Sequence, residues 1–257
     1  MDLIRISEPN QNLAAKLGVN PSIHANDYVY HFLERRWQGN RDRATHNYYN
    51  LGHYGATTAK AFLDELTRVK KRLGEEWRPG SLLDFASGYG NSSKHMSKLF
   101  PDCLIGTCDI HEDAVIFNRD VLGLRSYLSV DIPEHLDLPL QDAIVVMSFF
   151  SHMPENTFTR WLQALSRSLA QGGALIFTAN GYVTDKTGNT GIQVDARGFG
   201  FRPQSEQHDL DTQQYGLTIS YPRYVFRAID ECPGLRLLRF QEGFWWTTQD
   251  TYVCVRE

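Results

Sequence analysis

A turn built from small residues follows the first apolar, strand-like run of the chain. The stretch Asp84-Phe85-Ala86-Ser87-Gly88-Tyr89-Gly90 has alanine, serine or glycine at positions 86, 87, 88 and 90. Small side chains let a backbone turn sharply and approach a ligand closely. In a doubly wound α/β sheet, the turn after the first strand is where a nucleotide binds. An ordinary tight turn between a strand and a helix would show the same spacing, so a second feature is needed to distinguish it from a nucleotide-binding turn.

Asp109 supplies the second feature, because it ends the next strand-like run, Ile105-Gly106-Thr107-Cys108-Asp109, 21 positions after Gly88. A carboxylate near this spacing is placed to accept hydrogen bonds from ribose hydroxyls. The glycine turn and Asp109 together predict a binding site for a nucleoside.

Two residues indicate which nucleoside is bound. A dinucleotide fingerprint needs G-x-G-x-x-G, and Ser93 stands where the third glycine would be. Asp84 lies inside the turn, where its carboxylate would repel a pyrophosphate. It would suit a cationic ligand without phosphate, either by direct attraction or by ordering loop amides and water. S-adenosylmethionine carries a sulfonium and an ammonium group and no phosphate.

On these residues, positions 81–180 resemble the class I S-adenosylmethionine-dependent methyltransferase superfamily. The stretch 84–90 is similar to its first motif, D/E-x-G-x-G-x-G, and departs from it at Ala86, where the family often has glycine. The resemblance implies that Asp109 holds the ribose. It also implies that the turn contacts the methionine part of the cofactor, through Asp84, Ala86, Ser87, Gly88 and Gly90.

Further positions of the family pattern follow the third and fourth strands. Asp131 matches the acidic position near the adenine amino group, although an aspartate before Ile132-Pro133 would also cap a turn. The chain neighbours Ile110 and Ile132 are included among the predicted cofactor contacts. The resemblance places Ser148-Phe149-Phe150 along the cofactor and acceptor side, with Ser148 and Phe149 toward the cofactor and Phe150 toward the acceptor.

His152 is the predicted catalytic residue. Methyl transfer from a sulfonium is an in-line displacement, so the protein must align the acceptor, exclude water and, for a hydroxyl, remove a proton. Histidine titrates near neutrality, and His152 follows the fourth strand at the edge where ligands bind. The alternative is that it caps the next helix or bonds within its loop. The segment 148–154 lacks the N/D-P-P-Y and Pro-Cys patterns of amine and cytosine methylation, which leaves small-molecule O-methylation, with N- or C-methylation open.

Two segments are candidates for binding the acceptor. Tyr48 and Tyr49 belong to a run of aromatic and histidine residues before the core, which could fold over the pocket as a lid or simply pack an accessory helix. The run 198–210 mixes glycine with polar side chains, including His208, that would suit a sugar or other polyol, or form a solvated loop. The C-terminal pattern of this run followed by a late Gln249-Asp250 before the final strand loosely resembles methyltransferases associated with surface-glycan synthesis.

Alternating strands and helices from Ser81 onward predict a Rossmann-like, doubly wound α/β fold with a seven-stranded, mostly parallel sheet and a helical N-terminal lid. A short final connection makes the last strand pair antiparallel. The predicted strands are 81–86, 103–109, 126–130, 142–148, 173–179, 235–242 and 249–256. The predicted helices are 22–37, one beginning at Thr57 or Thr58, 91–99, 111–122, 155–170 and 222–231.

The predicted domain organisation is a lid segment, 1–55, and a methyltransferase domain, 56–257, with a substrate-side insert at 181–221. The net charge of −4 lacks the basic surplus of a nucleic-acid partner. No apolar run approaches a membrane helix or a secretory signal, and the four cysteines form no CxxC pair, so we expect a cytoplasmic protein without a metal site or a membrane partner. The oligomeric state is left open.

Two rival functions remain open at this point. One is an NAD-dependent oxidoreductase on a related sheet, which the serine at position 93 disfavours. The other is a nucleoside-binding domain without catalytic activity, which the intact glycine and acidic positions disfavour.

Overall fold

A computed structural model describes residues 2–188, 190–205, 207 and 209–257 of the chain. Seven strands form a mixed, mostly parallel sheet with flanking helices, as the sequence predicts for a Rossmann-like methyltransferase fold. The chain divides into two compact units, 1–129 and 130–257.

The first unit joins three helices to the first half of the sheet. Its elements are α1 (Glu8–Leu17), α2 (Tyr28–Arg36), α3 (Arg41–Arg72), β1 (Ser81–Phe85), α4 (Ser93–Leu99), β2 (Leu104–Asp109), α5 (Glu112–Asp120) and β3 (Arg125–Leu128). The strand order is β3-β2-β1, all parallel. Phe85 pairs with Cys108, so β1 and β2 end at the same level and the glycine turn lies beside Asp109.

The predicted starts of α2 and α3 are wrong. Asp27 caps α2 by accepting from the backbone N–H of Tyr30, and Asn40 caps α3 by accepting from that of Arg43. Thr57 lies within α3, where its hydroxyl donates to the His53 carbonyl. Helix α3 thus runs unbroken through the boundary proposed between residues 55 and 56, and that boundary stays a prediction.

The second unit holds the other half of the sheet. Its elements are β4 (Gln141–Val146), α6 (Glu155–Arg167), β5 (Leu169–Asn180), α7 (Tyr182–Thr187), β6 (Phe199–Arg202), β7 (Leu217–Ser220), α8 (Pro222–Asp230), β8 (Leu235–Trp245) and β9 (Gln249–Arg256). The strand order is β4-β5-β9-β8, and β9 runs antiparallel to both neighbours, which confirms the predicted antiparallel pair.

The insert at 181–221 contains regular structure that its composition does not reveal. Strands β6 and β7 pair as an antiparallel hairpin, separate from the main sheet, with Phe199 opposite Ser220. The backbone N–H of Thr218 donates to the carbonyl of Ser151, so β7 is bonded to the loop after β4. Four-residue strands are too short to show a clear period of two, which is why the pattern passes unnoticed.

Within the part of the chain that the structure describes, no helix is long and apolar enough to cross a membrane. No group of three or more histidine, cysteine, aspartate or glutamate side chains in that part is arranged to hold a metal ion. All four cysteines are free thiols.

Candidate active site

The turn after β1 is built from left-handed residues. Ala86, Gly88 and Gly90 have φ angles of 56°, 51° and 69°. A Cβ added to Gly90 would lie 2.6 Å from a Leu122 methyl carbon and 2.7 Å from the Asn118 amide oxygen, whereas one added to Gly88 would meet no atom within 4 Å. The backbone of Gly88 therefore borders open space, while that of Gly90 is packed against α5 and the turn after it.

Ala86, the position that departs from the family motif, adopts a left-handed conformation. A left-handed φ is strained for any residue with a Cβ and unstrained for glycine. The alanine therefore adopts the conformation that glycine provides in the related motif, at a cost of about 1 kcal/mol.

Asp109 is buried beside this turn, and three N–H groups donate to its carboxylate. The Gly88 N–H donates to Oδ2 at 2.7 Å, and both the backbone N–H and Nδ1 of His111 lie within 3.1 Å of Oδ1. A carboxylate offers about four acceptor positions. Among the described residues, Oδ2 therefore keeps one lone pair for a further donor.

Asp84 is buried at the end of β1 and accepts a 2.6 Å hydrogen bond from the Ser93 hydroxyl at the start of α4. Burial raises the pKa of Asp84 to about 7; the bond from Ser93 opposes the shift, and the charge of Asp109 adds to it. The carboxyl group thus orders the first turn of α4.

Asn118 is a supporting residue that sequence reasoning missed. Its side chain is fully buried, and its amide Nδ2 donates to the Gly88 carbonyl at 2.9 Å. No motif marks it, because an asparagine near the end of an amphipathic helix is ordinary in sequence.

The predicted acceptor residues Tyr48 and Tyr49 are both fully buried. The hydroxyl of Tyr48 donates to Asp27 Oδ2 at 2.6 Å, and that of Tyr49 donates to the Pro21 carbonyl at 2.7 Å. Burial raises the pKa of Asp27. These bonds favour the packing alternative for the two tyrosines, and their role in acceptor binding stays a prediction.

Other residues of the N-terminal segment contact the glycine turn and the residue that bonds Asp109. The ring of His24 stacks on that of Tyr89 at 4.6 Å, and the Tyr89 hydroxyl donates to Asp113 at 2.6 Å. The rings of Tyr28 and His111 lie 5.4 Å apart. Sequence reasoning missed these contacts because they join residues that are far apart along the chain.

In the second unit, the residues predicted around the cofactor differ in exposure. Asp131 and Ile132 are exposed, Ser148 is half-buried and Phe149 is buried. Phe150 is fully buried, with its ring 4.8 Å from that of Phe158. In the first unit, Ile110, Ser87 and Ala86 are half-buried.

His152 is held in one orientation by the insert. Its Nδ1 lies 2.7 Å from the Gly216 carbonyl, and its ring stacks on Tyr215 at 4.4 Å. A carbonyl only accepts, so Nδ1 carries the proton and the neutral ring keeps its lone pair on Nε2. Burial lowers the pKa of His152, and the hydrogen bond to Gly216 opposes the shift.

A cleft of about 470 Å³ lies between the start of α6 and the β6–β7 hairpin. Its lining includes two phenylalanines and several amide side chains: Pro154, Asn156, Gln193, Phe199, Phe201 and Gln213. Pro154 is two residues from His152, and Gln213 is two residues from Tyr215, so the cleft lies within about 8 Å of the histidine backbone. The predicted acceptor residue His208 lies outside the described residues.

Comparisons with known proteins identify the fold. No family model and no curated protein sequence matches the chain. Among solved structures, it is similar to an S-adenosylmethionine-dependent methyltransferase from Clostridium acetobutylicum ATCC 824, with 14% identity and a TM-score of 0.54 over 88% of this chain and 96% of that one. It is also similar to the plantazolicin methyltransferase BpumL, in complex with a monoazolic desmethylPZN analog and SAH, with 13% identity and a TM-score of 0.55 over 97% and 99%.

A third similar structure is that of SAM-bound CalS10, an amino pentose methyltransferase from Micromonospora echinaspora involved in calicheamicin biosynthesis. It shows 18% identity and a TM-score of 0.50 over 76% of this chain and 91% of that one. The chain therefore has the fold of S-adenosylmethionine-dependent methyltransferases.

Proposed function

We propose that this protein transfers the methyl group of S-adenosylmethionine to a hydroxyl of a small molecule. The observation that carries the proposal is the Gly88 turn, which borders open space beside a buried carboxylate that keeps an acceptor position. That arrangement on this fold is suited to a ribose and to the backbone contacts of an adjoining amino acid moiety. A dinucleotide is disfavoured, because Ser93, at the start of α4, stands where the third glycine of the dinucleotide fingerprint would be.

The donor and acceptor groups of the first unit fit S-adenosylmethionine. Asp109 would accept from a ribose hydroxyl through Oδ2, and the backbone around Gly88 would contact the methionine moiety. The side chain of Asp84 would support the site through the order that its hydrogen bond with Ser93 imposes on α4. Asp131 and Ile132 would border the adenine, and Ser148 and Phe149 the sulfur side, as the resemblance implies.

When bound, the cofactor supplies an activated methyl group, and the rest of the chemistry falls to the protein's own residues. His152 would accept the proton of the acceptor hydroxyl at Nε2, because Nδ1 is committed to the Gly216 carbonyl. Its lowered pKa keeps the imidazole neutral at pH 7, which is the form a general base requires. The stacked Tyr215 holds the ring in plane, so the base is oriented before the acceptor binds.

The cleft near His152 supports a hydroxyl-bearing acceptor. Flat phenylalanine rings next to amide side chains suit the apolar faces and hydroxyls of a sugar or another polyol. Two carboxylates, Glu155 and Asp195, also line the cleft, and both pair with the single cation Arg197, at 2.6 and 2.7 Å. CalS10, a structural neighbour, is an amino pentose methyltransferase.

The proposal is tested by incubating the protein with methyl-labelled S-adenosylmethionine and a panel of sugars, polyols, phenols and amines. We expect the label in an O-methyl ether formed from a hydroxyl of the acceptor, and loss of transfer in His152→Ala. Label found only on amines would contradict hydroxyl methylation while leaving the methyltransferase assignment standing. Binding of NAD in place of the methyl donor would favour the oxidoreductase, and nucleoside binding without any transfer would favour a non-catalytic domain.

A further inference from the structure

The chain leaves β4 through a strained residue. Ser148 has a φ of +59°, in the left-handed region that costs free energy for a residue with a Cβ. Such strain persists only where the surrounding contacts over-determine the conformation, and it concentrates at functional sites. We therefore expect specific contacts to stabilise Ser148 in this conformation.

Three hydrogen bonds form a closed ring around Ser148. Its backbone N–H donates to Thr178 Oγ1 at 2.8 Å, and the Thr178 hydroxyl donates in turn to Gln249 Oε1 at 2.7 Å. Gln249 Nε2 then donates back to Ser148 Oγ at 2.9 Å. The glutamine side chain accepts one bond and donates another, so a single amide links the turn after β4 with β5 and the start of β9. Thr178 is fully buried, which strengthens such bonds.

A second strained turn places Gln249. Trp246 and Thr247 have φ angles of 53° and 58°, and the Thr248 N–H donates to the Trp245 carbonyl. Two consecutive left-handed residues define a type I′ hairpin turn, which asparagine and glycine normally supply. The turn of this hairpin therefore contains residues that are unfavourable at positive φ, and it positions Gln249 at the edge of the sheet.

The ring also reaches the predicted base. The Ser151 hydroxyl donates to the Ser148 carbonyl at 2.7 Å, and the His152 N–H donates to the Phe149 carbonyl at 2.9 Å. The conformation of Ser148 therefore sets the path of the backbone from β4 to His152.

We propose that Gln249, acting with Thr178, is a positioning residue that holds Ser148 in its left-handed conformation. It thereby shapes the cofactor-facing backbone after β4 and the approach to His152. This role rests on the proposed function, because it is through cofactor binding that the turn would matter.

The test compares Gln249→Leu, Ser148→Gly and the double variant, with Gln241→Leu on the neighbouring strand as the matched control. Amide hydrogen exchange of Ser148 is measured without ligand, and the affinity for S-adenosylhomocysteine is measured by calorimetry. In Gln249→Leu we expect about tenfold faster exchange at Ser148 and about tenfold weaker binding. In the double variant, binding should return to within about threefold of the original protein, because glycine adopts this φ without strain.

Rescue by glycine separates positioning from general packing. Unchanged Ser148 exchange in Gln249→Leu would overturn the proposal, as would a loss of binding that Ser148→Gly does not restore. An equal loss in Gln241→Leu would also overturn it. If the original protein binds no S-adenosylhomocysteine, the proposed function fails, while the exchange measurement still decides whether Gln249 holds Ser148.

Discussion

Replacing Asp84 by asparagine should stabilise the protein at alkaline pH. Burial raises the pKa of this carboxyl from 3.8 to about 7, because the side chain is 3% exposed and shares its surroundings with Asp109. Between these two values the unfolded chain has lost the proton while the folded protein retains it. Unfolding therefore releases a proton in this window, and a rise in pH favours unfolding.

The size of the effect follows from the shift. Each pKa unit corresponds to about 1.4 kcal/mol, so ionising Asp84 reduces the free energy of unfolding by about 4 kcal/mol in full. Roughly 2–3 kcal/mol of this falls between pH 5 and pH 8. The asparagine side chain of Asp84→Asn does not ionise, and its amide oxygen can still accept from Ser93, so the substitution should remove this part of the pH dependence. At pH 8 the melting temperature should rise by about 5–10 °C.

The assay is urea denaturation at pH 5, 6, 7 and 8 for the original protein, Asp84→Asn and Asp64→Asn. Asp64 is an exposed carboxylate on α3 paired with Lys60, so its loss controls for the removal of one negative charge. The difference in stability between Asp84→Asn and the original protein should grow with pH, and the effect of Asp64→Asn should stay constant. If the free energy of unfolding varied with pH in parallel for all three proteins, the reasoning that ionisation of Asp84 destabilises the fold would be refuted.

Three further predictions concern ligand binding and turnover. Asp109→Ala should weaken S-adenosylhomocysteine binding by about 1.5–3 kcal/mol in calorimetry, and unchanged affinity in a folded variant would exclude the ribose role. Gly88→Ala and Gly123→Ala each introduce a Cβ at a left-handed position with open space around it, so each variant should lose about 1 kcal/mol of stability. Only Gly88→Ala should weaken the binding of S-adenosylhomocysteine. Equal affinities would show that Gly88 does not face it. His152→Ala should reduce kcat about 10²–10⁴-fold while the affinity for the cofactor stays intact. In the original protein, the fall of activity at acidic pH should have its midpoint below pH 6.5, because the pKa of His152 is lowered. A fully active variant would show that His152 is not the general base.

The fold could be predicted because its determinants are local. Apolar runs such as 81–86 and stripes such as that of α6 repeat at the periods of strands and helices, and the observed bounds differ by a few residues. The sequence pattern underestimates the length of α3, because the first half of this helix buries glycine, threonine and tyrosine rather than an aliphatic stripe. Gly52 is needed there, since an added Cβ would lie 2.2 Å from the carbonyl oxygen of Asn91.

The candidate site could be predicted only where a residue type and its place in the chain coincide. Gly88 follows β1 and Asp109 ends β2, so their proximity follows from the parallel pairing of the two strands. Asn118 and Gln249 act through contacts with residues 30 and 101 positions away, and no local pattern encodes such a contact. Supporting residues of this kind become visible only once the sheet and the insert are folded.

Calorimetric titration of the purified protein with S-adenosylhomocysteine, and separately with NAD, tests the central claim most directly. We expect saturable binding of S-adenosylhomocysteine that is lost or strongly weakened in Asp109→Ala, and no heat of binding with NAD. Saturable binding of NAD, or the absence of binding by S-adenosylhomocysteine to a folded protein, would contradict the account.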